Sequence, residues 1–424
     1  MKSYLDKFFF RTNNLDYISQ NIKNLTKETP AKRIFDCINS YSEQSEIRYV
    51  GGCIRKIIKK EKIDDIDLAT NLKPNEVCDA FKKNNIDYYE SGLAHGTITA
   101  IINKYKFEIT TLRKDILTDG RHAKVEFSKD WKEDASRRDF TINSIYSDAE
   151  GNLFDPYNGK RDLENGSINF IGETNERIKE DYLRILRYLR FFLNYSKQPH
   201  KSEIVRKLRM NIDGISKLSK ERLMEELKKI ISLGTLEKLS NDKFSLELIL
   251  IIFPELRNIK IFSKLNLNIK DLLKKKDFIF LLSLMIIDDT DNTDYFLYKF
   301  NISKKDQKRI KIIKNFFKDK ITKKTFSKKN MNKLFYFEGA QAVEDILHFR
   351  IIKSRKYDKI LLELCKIFKS KSVPTMPIGA DTLMNKYQIP RGKELGNYLK
   401  KIEEMWVEND FQISDTQVKD IIDS

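Results

Sequence analysis

The stretch IDDIDLAT, residues 63–70, combines three aspartates with apolar residues in a short, strand-like run. Successive side chains on a strand point to opposite faces, so Asp65 and Asp67 share one face while Ile66 and Leu68 share the other. Two neighbouring carboxylates repel each other unless a cation lies between them, and Mg²⁺ prefers such oxygen ligands. Asp64 has the opposite parity. The spacing therefore indicates a metal-binding pair, although two solvated surface aspartates would give the same pattern.

A glycine turn precedes this stretch. The segment EIRYV is typical of a strand, and it runs into Gly51 and Gly52 and then into a helix that carries Arg55. Glycines permit a tight turn and a close approach of backbone amides to a ligand. A helix N-terminus and an arginine in its first turns both favour a phosphate group. Without the nearby aspartates, an ordinary turn followed by an exposed arginine would explain these residues equally well.

The segment EDASRRDFTINSI, residues 133–145, places two arginines before an aspartate and an asparagine. Arg138 can hold a triphosphate, and Asp139 and Asn143 can form local backbone or capping hydrogen bonds. A charged helix start with a local ion pair is the alternative that these residues leave open.

The segment ERIKEDYLRILRYLRFFLNY, residues 176–195, has the apolar periodicity of one continuous amphipathic helix. On such a helix Asp181 and Arg184 are neighbours, and Arg187 follows after three more residues, away from the apolar stripe. Pairs of this kind are usually surface ion pairs of little energetic weight. They can also present fixed donors and acceptors to the edge of a nucleobase.

The whole chain has 424 residues, which is enough for several domains. Its first third alternates helical and strand patterns, and after about residue 171 long amphipathic helices follow. The longest apolar runs are too short to span a bilayer, and four scattered cysteines fit a reducing compartment. We therefore expect a cytoplasmic α+β protein with a helical second part and no membrane association.

The charge balance favours a polyanionic partner. There are 80 lysines and arginines against 62 aspartates and glutamates, a formal charge of +18. Such a field attracts nucleic acid, although a lysine-rich composition also solvates ordinary helical faces. The lysine-dominated stretch 301–330 is open to both interpretations.

Seven segments, in this order, resemble the class II tRNA nucleotidyltransferases, or CCA-adding enzymes, and the related bacterial poly(A) polymerases. The resemblance covers roughly residues 45–235. The segments are YVGGCIRK, similar to the family's GGxVRD; DDIDLAT, similar to its metal-binding strand; SGLAHGTITA; SRRDFTINSIY; FDPYNGKRDL; IKEDYLRILRYLRF; and LSKERLMEELKKI. One departure is Lys56, which stands where the family usually has an aspartate and removes an acidic partner for Arg55.

The resemblance implies a polymerase-β-type nucleotidyltransferase head at 1–170, a helical neck at 171–235 that recognises the base, and a helical body and tail at 236–424 that bind tRNA. Asp65 and Asp67 would be the catalytic pair that holds Mg²⁺. Glu108 is a candidate third carboxylate, with an ordinary strand glutamate as the equal alternative. The implied nucleotide-binding residues are Gly52, Arg55, Arg138, Asp181, Arg184, Arg187 and Arg190.

The implied activity is template-independent addition of C, C and A from CTP and ATP to the tRNA 3′ end, with release of pyrophosphate and without an obligate protein partner. Addition of A alone and poly(A) synthesis are the alternatives within the family. Addition of C alone is disfavoured because 110–134, with Asp119, Gly120 and Arg121, resembles the flexible loop that CC-adding enzymes lack. An RNA-binding protein without catalysis is the alternative from another class, and the intact aspartate pair argues against it.

Overall fold

The computed structural model describes residues 17–118, 123–318 and 321–423. The chain divides into two compact units, Met1–Leu227 and Lys228–Ser424. Asp119, Gly120 and Arg121, on which the flexible-loop prediction depends, lie outside the described residues. No helix in the described ranges is long and apolar enough to cross a membrane.

The first unit contains a seven-stranded mixed sheet with the strand order β3-β4-β5-β2-β1-β8-β9, and a separate two-stranded sheet, β6-β7. Among the strands that the structure describes, β2 and β5 are the one parallel pair. The strands are β1 Ile47–Val50, β2 Ile66–Thr70, β3 Asp87–Gly92, β4 Thr97–Ile102, β5 Tyr105–Thr111, β6 Arg113–Thr118, β7 Ala123–Phe127, β8 Tyr146–Ser147 and β9 Leu153–Phe154.

Strand β2 lies inside this sheet, between β1 and β5. Its apolar residues Ile66, Leu68 and Ala69 are buried, as expected for a strand covered by helices. The parallel register places Asp67 directly beside Glu108 of β5. The chain reaches β5 through the helix Pro74–Lys83 and strands β3 and β4, which supply the long crossover that parallel strands need.

Helices pack on this sheet and continue the first unit beyond it. Helix α2 packs on β1, α3 on β1 and β2, and α4 on β3 and β4. The helices are α1 (17–28), α2 Ala31–Asn39, α3 Gly52–Ile58, α4 Pro74–Lys83, α5 Trp131–Ser136, α6 Gly159–Asn165, α7 Thr174–Glu180, α8 Leu183–Tyr195, α9 Ser202–Met210 and α10 Lys220–Ile230.

The prediction of one continuous helix over 176–195 is wrong. Helix α7 ends at Glu180, Asp181 has an extended backbone with φ −154°, and α8 begins at Leu183. The Asp181 carboxylate accepts the Leu183 N–H at 3.1 Å and so caps the new helix. The Tyr182 ring packs so closely on Gly214 that a Cβ there would lie 2.0 Å from it. The break therefore depends on contacts that the local sequence does not contain.

A second close approach shapes the segment after β7. The turn Thr141–Asn143 packs against the start of α6, where a Cβ on Gly159 would lie 2.0 Å from the carbonyl oxygen of Thr141. Thr141 Oγ1 also donates to the Asp162 carboxylate at 2.6 Å. The segments RRDFTIN and FDPYNGKRDL thus form one packed element under the cleft described below.

The described part of the second unit is helical. Its helices are α11 Leu233–Asn241, α12 Lys243–Ile252, α13 Leu267–Leu273, α14 Phe278–Ile286, α15 Asn292–Lys299, α16 Lys304–Phe316, α17 Lys328–Ser354, α18 Lys359–Ser370, α19 Ala380–Tyr387, α20 Lys393–Glu408 and α21 Asp415–Asp423. Helix α17 is kinked at Gly339, which has φ 84°. The order of an α+β first part and a helical second part is therefore confirmed, while the finer division into head, neck, body and tail stays a prediction.

Candidate active site

A cleft of about 520 Å³ opens in the first unit, where the start of α3, strand β2, the segment after α5 and helix α8 meet. Seven arginines and three aspartates line it, so its wall is strongly cationic. The lining residues are Gly51, Gly52, Arg55, Asp67, Arg113, Arg137, Arg138, Asp139, Asn143, Asp181, Arg184, Arg187, Arg190 and Phe191.

One end of the cleft carries interacting carboxylates. Burial raises the pKa of Asp67, the negative charges of Glu108 and Asp65 raise it further, and Arg138 and Arg55 oppose them. Asp67 is half-buried in β2, whereas Asp65 lies just before the strand and is exposed, as is Glu108. A carboxyl group such as Asp67, whose pKa is raised by burial and by neighbouring carboxylates, fits a site for a bound cation, which relieves this repulsion.

No three His, Cys, Asp or Glu side chains within the described ranges are already gathered as a metal-ligand set. Mg²⁺ usually takes one or two carboxylates and completes its coordination with water and substrate phosphates.

The glycine turn brings backbone close to the carboxylate end. Gly51 has φ 68°, and a Cβ on Gly52 would lie 3.6 Å from Asp67 Oδ2. Arg55 is buried one turn further along α3, where it donates to Asn143 Oδ1. Its guanidinium lies 4.8 Å from the centre of the Phe191 ring, and its Nε has no partner among the described residues. The position of the Arg55 side chain is therefore fixed by Asn143 and Phe191 before any ligand binds.

Arg137 and Arg138 share one buried carboxylate, that of Asp134. Arg137 Nε donates to Oδ1 at 2.8 Å, and Arg138 NH2 donates to Oδ2 at 3.0 Å. The hydroxyl of Tyr146 donates to Oδ2 at 2.7 Å, and the Arg113 N–H donates to Oδ1 at 3.3 Å. Although burial opposes ionisation, the two arginines hold the pKa of Asp134 well below its usual range. The sequence hypothesis did not include Asp134.

Asp139 fixes Arg187 from the opposite side of the cleft. Arg187 Nε donates to Asp139 Oδ2 at 2.6 Å, while Asp139 Oδ1 accepts from the Phe140 N–H and from Asn143 Nδ2. Burial opposes ionisation, but the charge of Arg187 and the Asn143 hydrogen bond lower the pKa of Asp139 to about 2. The predicted local hydrogen bonds of Asp139 and Asn143 are therefore present, together with a long-range ion pair.

The other end of the cleft is lined by Asp181 and residues of α8, which are held by partners on α7 and α10. Asp181 Oδ2 accepts from Arg222 at 2.7 Å, and Arg184 NH1 donates to Glu180 at 2.7 Å. Arg190 forms an ion pair with the buried Glu226. Arg222 and Glu226 were not among the predicted site residues. Both lie in LSKERLMEELKKI, so the resemblance of that segment to the family was the signal that could have identified them.

The cleft brings together most of the residues that the sequence singled out. Asp67 and all seven predicted nucleotide-binding residues line it, whereas Asp65 and Glu108 do not. Lys56, the departure from the family pattern, forms an ion pair with Asp64 at 2.7 Å, so Asp64 has a partner outside the cleft.

Comparisons with known proteins agree with this geometry. Residues 47–169 match the family described as the Poly A polymerase head domain. The "CCA tRNA nucleotidyltransferase 1, mitochondrial" of Mus musculus is 32% identical over 378 residues, covering 88% of this chain and 85% of that protein. Its Homo sapiens counterpart is 34% identical over 388 residues with the same coverage.

The fold is also that of a solved structure. The chain aligns with the Bacillus stearothermophilus CCA-adding enzyme, solved in complex with CTP, with a TM-score of 0.67 and 20% identity over 90% of this chain and 92% of that chain. Similarity to the mouse and human proteins over most of both lengths establishes the relationship: the chain belongs to the family of class II tRNA nucleotidyltransferases, the CCA-adding enzymes and their poly(A) polymerase relatives.

Proposed function

We propose that this chain is a CCA tRNA nucleotidyltransferase, which adds C, C and A from CTP and ATP to the 3′ end of tRNA and releases pyrophosphate. The names of the mouse and human relatives, matched over 85% of their length, support this activity. The observation that carries the proposal is a single cationic cleft with carboxylates at one end and an Asp–Arg set at the other. A nucleoside triphosphate would fit this arrangement, with its phosphates towards the carboxylate end and its base towards the Asp–Arg set.

The reaction uses a divalent metal ion, and we propose Mg²⁺. Asp65 and Asp67 are the proposed ligands, and Glu108 is the proposed third carboxylate because it lies beside Asp67 in the parallel register. When bound, such an ion lowers the pKa of an attacking hydroxyl and stabilises a leaving pyrophosphate.

The arginines of the cleft bind and orient the triphosphate. Arg138, fixed by Asp134, presents a guanidinium next to the carboxylate end, and Arg187 is oriented by Asp139. Each aspartate fixes its arginine before a substrate binds, so the two guanidinium groups need little reorganisation when charge develops on the phosphates. Gly52 allows the backbone of the α3 N-terminus to approach the same region.

Base recognition is assigned to Asp181 and Arg184. Cytosine and adenine both present an amino donor next to a ring-nitrogen acceptor, whereas uracil and guanine present the reverse order. A carboxylate accepts from the amino group, and a guanidinium donates to the ring nitrogen. Fixed side chains in this arrangement favour CTP and ATP over UTP and GTP without a template strand.

The second unit is proposed to bind tRNA. Lys304, Lys308 and Lys311 are exposed on one stripe of α16, and only Lys308 has an ion-pair partner among the described residues, Glu338. Tyr298, at the end of α15, is 85% exposed. Exposed lysines without acidic partners in the described ranges, such as Lys304 and Lys311, and an exposed aromatic ring six residues earlier in the chain are typical of a surface that binds a nucleic-acid backbone and stacks on bases.

The cytoplasmic location stays a prediction. It is supported by four cysteines without a disulfide among the described residues, but the mouse and human relatives carry the word mitochondrial in their names.

The activity is tested with purified protein, tRNA that lacks its 3′ CCA, and each labelled nucleotide. We expect incorporation of two CMP and one AMP that depends on added Mg²⁺ and stops there. AMP incorporation without CMP would indicate A addition, and long A tails would indicate poly(A) synthesis. No incorporation of any nucleotide would contradict the enzymatic proposal.

Removing one carboxylate separates catalysis from binding. We expect Asp67→Ala to lower kcat by about 10³-fold or more, because several kcal/mol of charge stabilisation are lost, while the Kd for tRNA stays within about twofold. Asp64→Ala is the matched control, since Asp64 faces away and pairs with Lys56, and it should keep most of the activity. Equal activity of the two variants would overturn the metal assignment.

Asp181→Ala is expected to change nucleotide choice, because the base loses its acceptor. The measurement is the ratio of kcat/KM for CTP and for UTP on the same tRNA, which should fall by about tenfold or more. Ser216→Ala, an exposed change in the same unit, serves as the control. An unchanged ratio in Asp181→Ala would show that the base-recognition assignment is wrong.

Reversing two charges tests the α16 surface. We expect Lys304→Glu with Lys311→Glu to weaken tRNA binding and to reduce the slope of log K against log salt by about 2, because two phosphate contacts are lost. Lys274→Glu with Lys366→Glu changes the charge equally at lysines that already have acidic partners. Identical salt slopes for both double variants would indicate that α16 is only a solvated face.

A further inference from the structure

Arg177 of α7 does not line the cleft, yet it contacts the backbone or side chains of residues on two of its walls. Its side chain is only 12% exposed, whereas most arginine side chains in folded proteins are exposed to solvent. The resemblance to the family gave it no role, and the proposed function does not use it.

On the triphosphate side, Arg177 holds the backbone of the two adjacent arginines. Its NH2 donates to the carbonyl oxygen of Arg138 at 2.7 Å and also to that of Arg137. The side chains of the same two residues are held by Asp134. The dipeptide is therefore fixed through its carbonyls by Arg177 and through its guanidinium groups by Asp134.

On the base side, Arg177 determines the surroundings of Arg184. Arg177 NH1 donates to Glu180 Oε2 at 2.5 Å, and Arg184 NH1 donates to the same oxygen at 2.7 Å. Arg184 NH1 also donates to the carbonyl oxygen of Arg177 at 2.8 Å. One acceptor of the Arg184 NH1 group is therefore held in place by the Arg177 side chain, and the other is the Arg177 backbone itself.

We propose that Arg177 is a positioning residue, which fixes the base-reading Arg184 relative to the triphosphate-binding Arg138 and thereby determines nucleotide selectivity. The proposal rests on the proposed function. A planar guanidinium can donate to two carbonyls and a carboxylate at once, whereas a lysine ammonium is a point charge on a flexible stem. Charge alone is therefore not sufficient at this position.

The test compares Arg177→Gln and Arg177→Lys with the unmodified protein, and the readout is the ratio of kcat/KM for CTP and for UTP on tRNA that lacks CCA. We expect the ratio to fall by about fivefold or more in both variants, because Arg184 loses its fixed direction. Arg206→Gln, an exposed arginine on α9, is the control and should keep the original ratio. A smaller fall, or equal losses for every nucleotide, would overturn the positioning role.

A second variant keeps the test valid if Arg177 is needed for folding. Glu180→Gln keeps the side-chain volume but cuts the charged link between Arg177 and Arg184. It should lower the same ratio by a similar factor, and combining it with Arg177→Lys should add little, because both changes break one network. A retained ratio in Glu180→Gln, or fully additive effects, would contradict the inference. Incorporation of CMP and AMP by the unmodified protein tests the proposed function separately.

Discussion

Mutual repulsion among guanidinium groups is the constraint on which this cleft depends. Seven arginines surround a space of about 520 Å³, and like charges at such distances disfavour a closed arrangement unless counter-charges are near. The protein supplies counter-charges to five of these arginines: Asp134 to Arg137 and Arg138, Glu180 to Arg184, Asp139 to Arg187, and Glu226 to Arg190. The positive charge of these five arginines is therefore partly neutralised by the protein, while their side chains still line the cleft.

Much of this arrangement follows from the sequence, since residue types and spacing carry the chemistry. Alternation in IDDIDLAT separates Asp67 from the buried Ile66 and Leu68, and the glycine turn before Arg55 predicts close backbone approach. The acidic partners were harder to predict, because Asp134 and Glu226 look like ordinary charged residues on helices. Their burial follows from packing against residues 12 to 36 positions away, which local patterns do not contain.

The break at Asp181 shows the same limit in the backbone. Apolar periodicity continues through residues 176–195, so a single helix is the natural interpretation of that segment. The observed break is held by Arg222, which binds the Asp181 carboxylate, and by Gly214, which admits the Tyr182 ring. As a result Asp181 sits at a capped helix start, where its carboxylate is fixed by neighbours rather than exposed on a helical face.

The register of β2 and β5 makes the carboxylate end of the cleft asymmetric. Asp67 and Glu108 are paired residues of neighbouring strands, so the β2–β5 pairing fixes the spacing of their backbones. Their backbones therefore need no further ordering when a ligand binds. Asp65 lies outside the strand and is exposed, so it would lose conformational freedom if it bound a cation. In the proposed ligand set of Asp65, Asp67 and Glu108, two residues would therefore stand on fixed backbones and one would be adjustable. Ordering Asp65 would weaken cation binding to the empty cleft, so the site would favour an ion that binds together with phosphates.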